Sequence, residues 1–262
     1  MSGADPAAPS TEIESRLASR VRAMTPASQG LLQERLLQRR FDRKYLVSTA
    51  DVAGLLDELS GSHAVLLAED RHLARYRTAY FDTQERRAFF DHSRGRPRRA
   101  KVRVRTYADR SLSVLEIKQR TGRGTTIKAR RPRPRSDAPL SAEERAWIAA
   151  QLPWAADLTP AASNVFRRIT LLGVHEVERL TIDVHLRFVV GSRSMDIHNT
   201  AIIEVKTPTR GQPSRAVSWL HAQGLRPMGF SKYCAASVLL DDSLPDHAFR
   251  PALRVMSRLE AA

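Results

Sequence analysis

The sequence predicts an α+β fold, with antiparallel strands whose apolar faces are covered by short helices. Two patterns carry that expectation, and the charge balance adds a third observation. Over Ala100–Tyr107, Lys101, Arg103 and Arg105 alternate with Val102, Val104 and Thr106. At the strand period of two, the cations share one face. Elsewhere, apolar residues recur at helical spacing between start and stop signals. Finally, 43 Lys and Arg stand against 28 Asp and Glu, a net charge of +15.

Taken in order, residues 1–10 are small, Pro-containing and expected to be disordered. Thr11 can cap a helix carrying Ile13, Leu17 and Val21; after Pro26, Leu31, Leu32, Leu36 and Leu37 mark another. Phe41–Val47 reads as a strand. Ser48 or Thr49 can cap a helix over Ala50–Ser60, stopped by Gly61. Strands follow at Arg75–Phe81, Ala100–Tyr107, Ser111–Gln119 and Thr125–Arg131, with a polar stretch after Gln84. Pro132, Pro134 and Pro139 mark a linker. Ser141 and Glu144 form a capping-box pattern before Trp147, Ile148 and Leu152. Three more strands are expected at Val165–Leu172, Glu178–Val190 and Met195–Thr207, the last broken near Asn199. Pro213 and Gly224 bracket a helix over Ser214–Gln223, and another runs from Ser231 to Leu240. The stretch after Leu244 reads as a polar tail.

The two-faced pattern repeats. Glu116 and Lys118 oppose Leu115 and Ile117, and Lys128 and Arg130 oppose Ile127 and Ala129. Arg179, Thr181, Asp183, His185 and Arg187 oppose Leu180, Ile182, Val184, Leu186 and Phe188. Glu204 and Lys206 oppose Ile203 and Val205. Two architectures satisfy this pattern. An open sheet would turn its ionic face to water. A closed barrel would gather that face around a polar lumen, where clustered cations are costly unless the space is wet and receives an anion.

Eight segments occur in the order of a known family: D-R-K-Y-L-V (Asp42–Val47), Y-F-D-T (Tyr80–Thr83), K-V-R-V-R-T-Y, L-E-I-K, K-A-R, R-L-T-I-D, I-I-E-V-K-T and F-S-K-Y (Phe230–Tyr233). From about Phe41 to Leu240 the chain resembles the VTC-type polyphosphate polymerase domain of the triphosphate tunnel metalloenzymes, alongside the CYTH proteins. The resemblance implies a closed antiparallel β-barrel, a triphosphate tunnel with covering helices. It divides the chain into residues 1–10, an N-terminal helical segment 11–40, a tunnel domain 41–241 and a tail 242–262. The implied activity is transfer of the terminal phosphate of a nucleoside triphosphate, ATP above all, to growing inorganic polyphosphate. A triphosphatase of the same fold and a non-catalytic polyphosphate-binding module are the alternatives.

The resemblance also implies roles. Arg103, Arg105, Lys118 and Lys206 match the catalytic cations, and Lys44, Lys128, Arg168, Arg179 and Lys232 match phosphate-holding positions, with Ser231 as a neighbouring donor. Glu204 matches the metal-binding carboxylate. Glu116 points the same way by parity and is a weaker metal or water ligand. The implied ion is Mn²⁺ or Mg²⁺, since both take carboxylate, phosphate and water oxygens. Lys101 shares the parity of Arg103 but matches no role, and is expected nearer the mouth. Asp42 stands where the family usually has Glu. Phe166 stands two residues before Arg168 where Tyr is expected, removing a hydroxyl. Arg40, Asp42 and Lys44 replace the E-x-E-x-K motif of CYTH phosphatases, which weakens the hydrolase alternative.

Composition narrows the partners. The charge excess calls for a polyanion. Aromatic residues make up 6%, and no RNA-recognition signature appears, so nucleic acid is not expected. The single cysteine, Cys234, excludes an internal disulfide. No apolar run is long enough to span a membrane, and no signal pattern opens the chain. The expected location is cytoplasmic, and transport of a product would need a membrane-protein partner. His63, His72, His92 and His175 show no metal spacing. His185 reads as a hydrogen-bonding residue and Asp183 as a neutraliser of nearby cations. Trp147, Trp154 and Trp219 read as core. Arg94–Arg99 and Arg130, Arg131, Arg133 and Arg135 read as solvated runs, the first also suited to funnel anions.

Overall fold

The computed structural model describes residues 12–36, 41–123, 125–134 and 138–262. The expected disorder of residues 1–10, the Thr11 cap, Leu37 and Arg135 lie outside them. Ten strands follow in chain order: β1 (Phe41–Ser48), β2 (His63–Val65), β3 (Ala74–Asp82), β4 (Arg99–Tyr107), β5 (Leu112–Arg120), β6 (Thr126–Arg133), β7 (Thr159–Gly173), β8 (Arg179–Val190), β9 (Arg193–Ile197) and β10 (Thr200–Thr207). The helices are α1 (Glu12–Arg22), α2 (Gln29–Glu34), α3 (Thr49–Leu59), α4 (Arg87–Ser93), α5 (Ala142–Gln151), α6 (Arg215–Ala222), α7 (Lys232–Leu240) and α8 (Arg250–Ala261).

Local chemistry sets several boundaries. Ser48 and Asp51 bond reciprocally across the first turn of α3, and Ser141 and Glu144 do so in α5, each pair satisfying two amides that a helix start leaves unpaired. Past the end of α6, Gly224 takes φ +74°, which a side chain would oppose. Helix α4, read from the sequence as a polar stretch, has no capping side chain of its own at its first turn. Asp82 supplies the missing acceptor from the end of β3, taking the amides of Ala88 at 2.8 Å and Phe89 at 3.0 Å. The expected tail holds α8, which buries Ala252 and Met256.

The strands form one antiparallel sheet in the order β1-β10-β8-β7-β3-β4-β5-β6, with β2 on β7 and β9 on β8. The barrel expected from the resemblance is not closed: β1 and β6 end the sheet, and no pairing joins them among the described residues. The free edge of β1 is engaged instead by an irregular segment, through Met228 N–H to the Lys44 carbonyl at 2.8 Å. Strand β6 ends in a proline-containing stretch, Pro132 and Pro134, suited to an edge. The sheet nevertheless curls. Lys44 of β1 and Lys128 of β6 line the same cavity.

Three apolar clusters pack the sheet. Leu17 and Val21 of α1, Leu55 and Leu56 of α3 and Leu220 of α6 cover Val47, Ile169, Ile182 and Ile203 on the outer face. Gly54 lets α3 approach Trp219, since a Cβ there would fall 2.9 Å from the indole. Ile148 of α5 covers Val102, Val104, Leu115 and Ile117. On the concave face, α7, with Met256 of α8, packs on Leu46, Phe166, Leu186, Phe188 and Ile202. The concave face is therefore ionic along part of its length and apolar where α7 and α8 fill it.

A bulge explains one departure from the expected faces. His185 has φ +50°, and the β7–β8 register slips between Val165 and Arg167. The extra residue reverses the alternation beyond it. Asp183 stays on the concave face, Leu186 and Phe188 join it, and Arg187 turns outward to Asp196 and Ser194. Arg187 is thus not on the ionic face.

Candidate functional site

The ionic part of the concave face lines a cavity of about 980 Å³. Arg99 and Tyr107, at opposite ends of β4, both line it. At ~3.3 Å per residue the cavity therefore extends about 26 Å along the strand. Among the described residues its wall carries fourteen Lys and Arg side chains against three carboxylates: Asp42, Asp183 and Glu204. Eleven of the twelve residues singled out from the sequence line it: Lys44, Arg103, Arg105, Lys118, Lys128, Arg168, Arg179, Glu204, Lys206, Ser231 and Lys232. Glu116 does not.

Each carboxylate is placed among cations by strand register. Glu204 of β10 lies opposite Lys44 of β1. It accepts from Lys44 Nζ at 2.9 Å and from Lys206 Nζ at 2.8 Å. Burial opposes its charge, but the two ammonium groups prevail and hold it well below the usual carboxylate range. Burial likewise works against Lys44, and Glu204 more than compensates, raising it. For Lys206, burial prevails and the ammonium is lowered.

Asp183 of β8 accepts from Arg168 Nε at 2.5 Å and Nη2 at 2.8 Å, and from Lys232 at the first turn of α7. Despite complete burial, Arg168 and Lys232 bring it down to about 2. Glu116 departs from its expected part. Its carboxylate, 1% exposed, accepts from Arg103 Nε at 2.7 Å and Arg130 Nε at 2.9 Å. Burial raises it, but Arg103 and Arg105 carry it down to about 2. It is a counter-ion beneath the wall and, unlike Glu204, does not line the cavity.

Lys118 is the weakly compensated cation. Burial first, then repulsion from Lys44, brings it down to about 8. That repulsion, between β5 and β1, runs across the cavity between strands far apart in the sheet. Arg105 is also lowered, by burial and by Arg103 and Arg168.

The sequence reading put Lys101 and Arg130 on the ionic face without assigning them a role, and missed Arg120 and His92 on the wall. Lys101 donates to Ser231 Oγ at 2.6 Å, and Ser231 in turn accepts the Cys234 amide at the α7 start. Arg99 and Arg120 line the wall, Arg130 pairs with Glu116, and His92 enters from α4. Burial, with Lys101 and Arg99 nearby, pushes His92 down to about 2. Alternation marks Lys101 and Arg130 but not the partners that each finds. His92 depended on α4, whose capping acceptor lies outside the helix at the end of β3.

For a divalent ion, the described residues offer no group of three or more His, Cys, Asp or Glu side chains. Glu204 is ionised on the wall, and Asp42 lies two residue pairs along the β1–β10 ladder, on the same face and opposite Lys206. One or two carboxylates suit an ion that takes its other ligands from phosphates and water, as Mg²⁺ and Mn²⁺ do. Glu116 does not fit that part.

Among the described residues no helix is long and apolar enough to cross a membrane. A search of curated proteins finds no match to the sequence. Solved structures similar to this chain include a candidate adenylate cyclase from Bacillus halodurans, at 14% identity over 74% of this chain and 94% of that one, with TM-score 0.46. A candidate adenylyl cyclase from Hippeastrum, described as having a dominant triphosphatase activity, is 17% identical over 75% of this chain and 94% of that one, with TM-score 0.46. A Pyrococcus horikoshii protein is 11% identical over 75% and 98%, with TM-score 0.45. The model of the VTC domain matches residues 39–240, most of the chain and every strand of the sheet, and the protein belongs to the VTC domain family.

Proposed function

We propose that the cavity binds a nucleoside triphosphate and transfers its terminal phosphate to a growing inorganic polyphosphate. The observation that carries the reading is the wall itself: about 26 Å of channel lined by cations that far outnumber carboxylates. Such a wall suits an extended anion, each phosphate accepting several charge-assisted hydrogen bonds. Phosphoryl transfer requires positioning and charge neutralisation more than a protein nucleophile. Arg103, Arg105 and Lys118 would hold the donor phosphates from one side, with Arg168, Arg179 and Lys206 opposite. Lys44, Lys128, Ser231 and Lys232 would hold the remaining chain. Glu204, with Asp42 beside it, would hold Mg²⁺ or Mn²⁺, an ion that neutralises phosphate oxygens as charge develops on them.

Transfer to phosphate is favoured over hydrolysis by the state of the carboxylates. Glu116, Glu204 and Asp183 are all cation-bound and held at low pKa. Groups so acidic are poor bases for activating water, whereas a phosphate acceptor arrives already anionic.

Purified protein given ATP and Mn²⁺ is expected to release ADP and form a long anionic polymer. Orthophosphate as the sole phosphate product would overturn polymerisation in favour of hydrolysis. Metal-independent binding without turnover would leave a binding module. Arg103→Ala and Lys206→Ala are expected to abolish turnover, and Glu204→Gln to remove its metal dependence. Full activity in all three would refute the site.

A further inference from the structure

Tyr80 lies on the concave face of β3, opposite Arg103 of β4 in the ladder. It lines the cavity although only 6% exposed. Its ring stacks on Tyr233 at 5.2 Å between centroids. Tyr233 is itself pinned by its hydroxyl to Asp82 at 2.6 Å, the carboxylate that starts α4. The phenol is therefore held between two fixed elements and cannot swing out of the wall.

The charges that act most strongly on it are cations, with Glu116 on Arg103, Asp183 on Lys232 and Asp82 on Tyr233 as the nearby carboxylates. Arg103 and Arg105 approach from β4, with Lys101 on the same strand, and Lys232 from α7. Arg103 lies opposite Tyr80 in the ladder and is itself held by Glu116 at 2.7 Å. We propose that Tyr80 is a direct phosphate ligand of the cavity, its hydroxyl filling the space between Arg103, Arg105, Lys101 and Lys232 and donating to a phosphate oxygen. The proposal rests on the polyanion reading above and names one more group that touches the ligand.

The electrostatics of the cavity support this part. Burial would raise a phenol, yet the surrounding arginines and lysines prevail and bring Tyr80 below its ordinary value. Glu116 and Asp183 balance Arg103 and Lys232 only in part, and the phenol sheds its proton more readily among them. An entering polyphosphate supplies that balance, so the phenolate takes one proton from solvent and becomes the donor. No bond to phosphorus forms or breaks at Tyr80. Binding is therefore linked to proton uptake at alkaline pH.

Inorganic tripolyphosphate is the probe, and Tyr80→Phe the variant, because it keeps the ring that stacks on Tyr233. In wild type, ultraviolet titration is expected to show a tyrosine ionising ahead of the others, and tripolyphosphate is expected to shift it upward. Tyr80→Phe should lose that early step and bind tripolyphosphate about tenfold more weakly by calorimetry, the loss of one hydrogen bond to a charged group. Equal affinity in the two proteins, or an early tyrosine step that persists in the variant, would overturn the assignment while leaving the cavity reading intact. Absence of tripolyphosphate binding to wild type would overturn both.

Discussion

Asp183 shows how much of this site depends on single charges. It is 2% exposed and holds two cations, Arg168 and Lys232, by three hydrogen bonds. Asp183→Asn leaves both cations buried without their counter-ion, which costs about 3–5 kcal/mol. Urea unfolding should register the loss, and saturating tripolyphosphate should restore part of it. Lys118 gives the opposite case. Brought down to about 8 by burial and by Lys44, it is charged below that pH at a cost to the folded state. Folding stability from this residue therefore rises with pH between about 8 and its ordinary value near 10.5. Anion binding follows the other sign, weakening above pH 8 as the ammonium is lost. Lys118→Arg, always charged, should flatten the alkaline fall in tripolyphosphate affinity measured by calorimetry. An unchanged profile would show that another group causes it.

Among the elements, α8 couples furthest from its own position. Glu260, near its end, accepts the amides of His198, Asn199 and Thr200 and the hydroxyl of Thr200, at 2.6–3.1 Å. These amides form the turn between β9 and β10, and β10 carries Glu204 and Lys206. Met256 and Leu259 of the same helix pack with α7 on the apolar part of the concave face. Glu260→Ala leaves amides without acceptors and should cost about 1–3 kcal/mol, read by thermal unfolding. Removing α8 whole should cost more, since it exposes that apolar floor as well. If Glu260→Ala unfolds like wild type, the turn is held by its own geometry and α8 is dispensable to β10.

For the molecule as a whole, the charge of +15 has a local address. Fourteen of the cations line one cavity, so an anion bound there relieves repulsion among strands that otherwise touch only through the sheet. Tripolyphosphate at about 100 times its dissociation constant should add ~2.7 kcal/mol and raise Tm by about 5–10 °C. Differential scanning fluorimetry can follow this rise, which should shrink at pH above 8, where Lys118 loses its charge. A rise equalled by the same concentration of sulfate would show general screening rather than a cavity that holds an extended anion.

Much of this was written in local pattern. Alternation at Lys101–Arg105 and at Glu204–Lys206 marked the ionic face because a strand side chain's direction depends only on parity. The Ser48 and Ser141 caps were equally legible, since both partners lie within one helical turn. What the sequence by itself determined was therefore the two-faced strands, most helix limits and the cations of the wall. Only the tertiary structure decided the rest. The bulge at His185 turned Arg187 out, because one inserted residue reverses parity without altering composition. Helix α4 starts on Asp82, several residues before it. Glu116, of the right parity to serve as a metal ligand, is held by Arg103 and Arg130 from the strands on either side. At the edge of β1 the Met228 segment bonds to Lys44, and among the described residues β6 does not pair there. Each of these outcomes rests on a partner outside the element concerned, and such partners leave no periodic mark on the residues they bind.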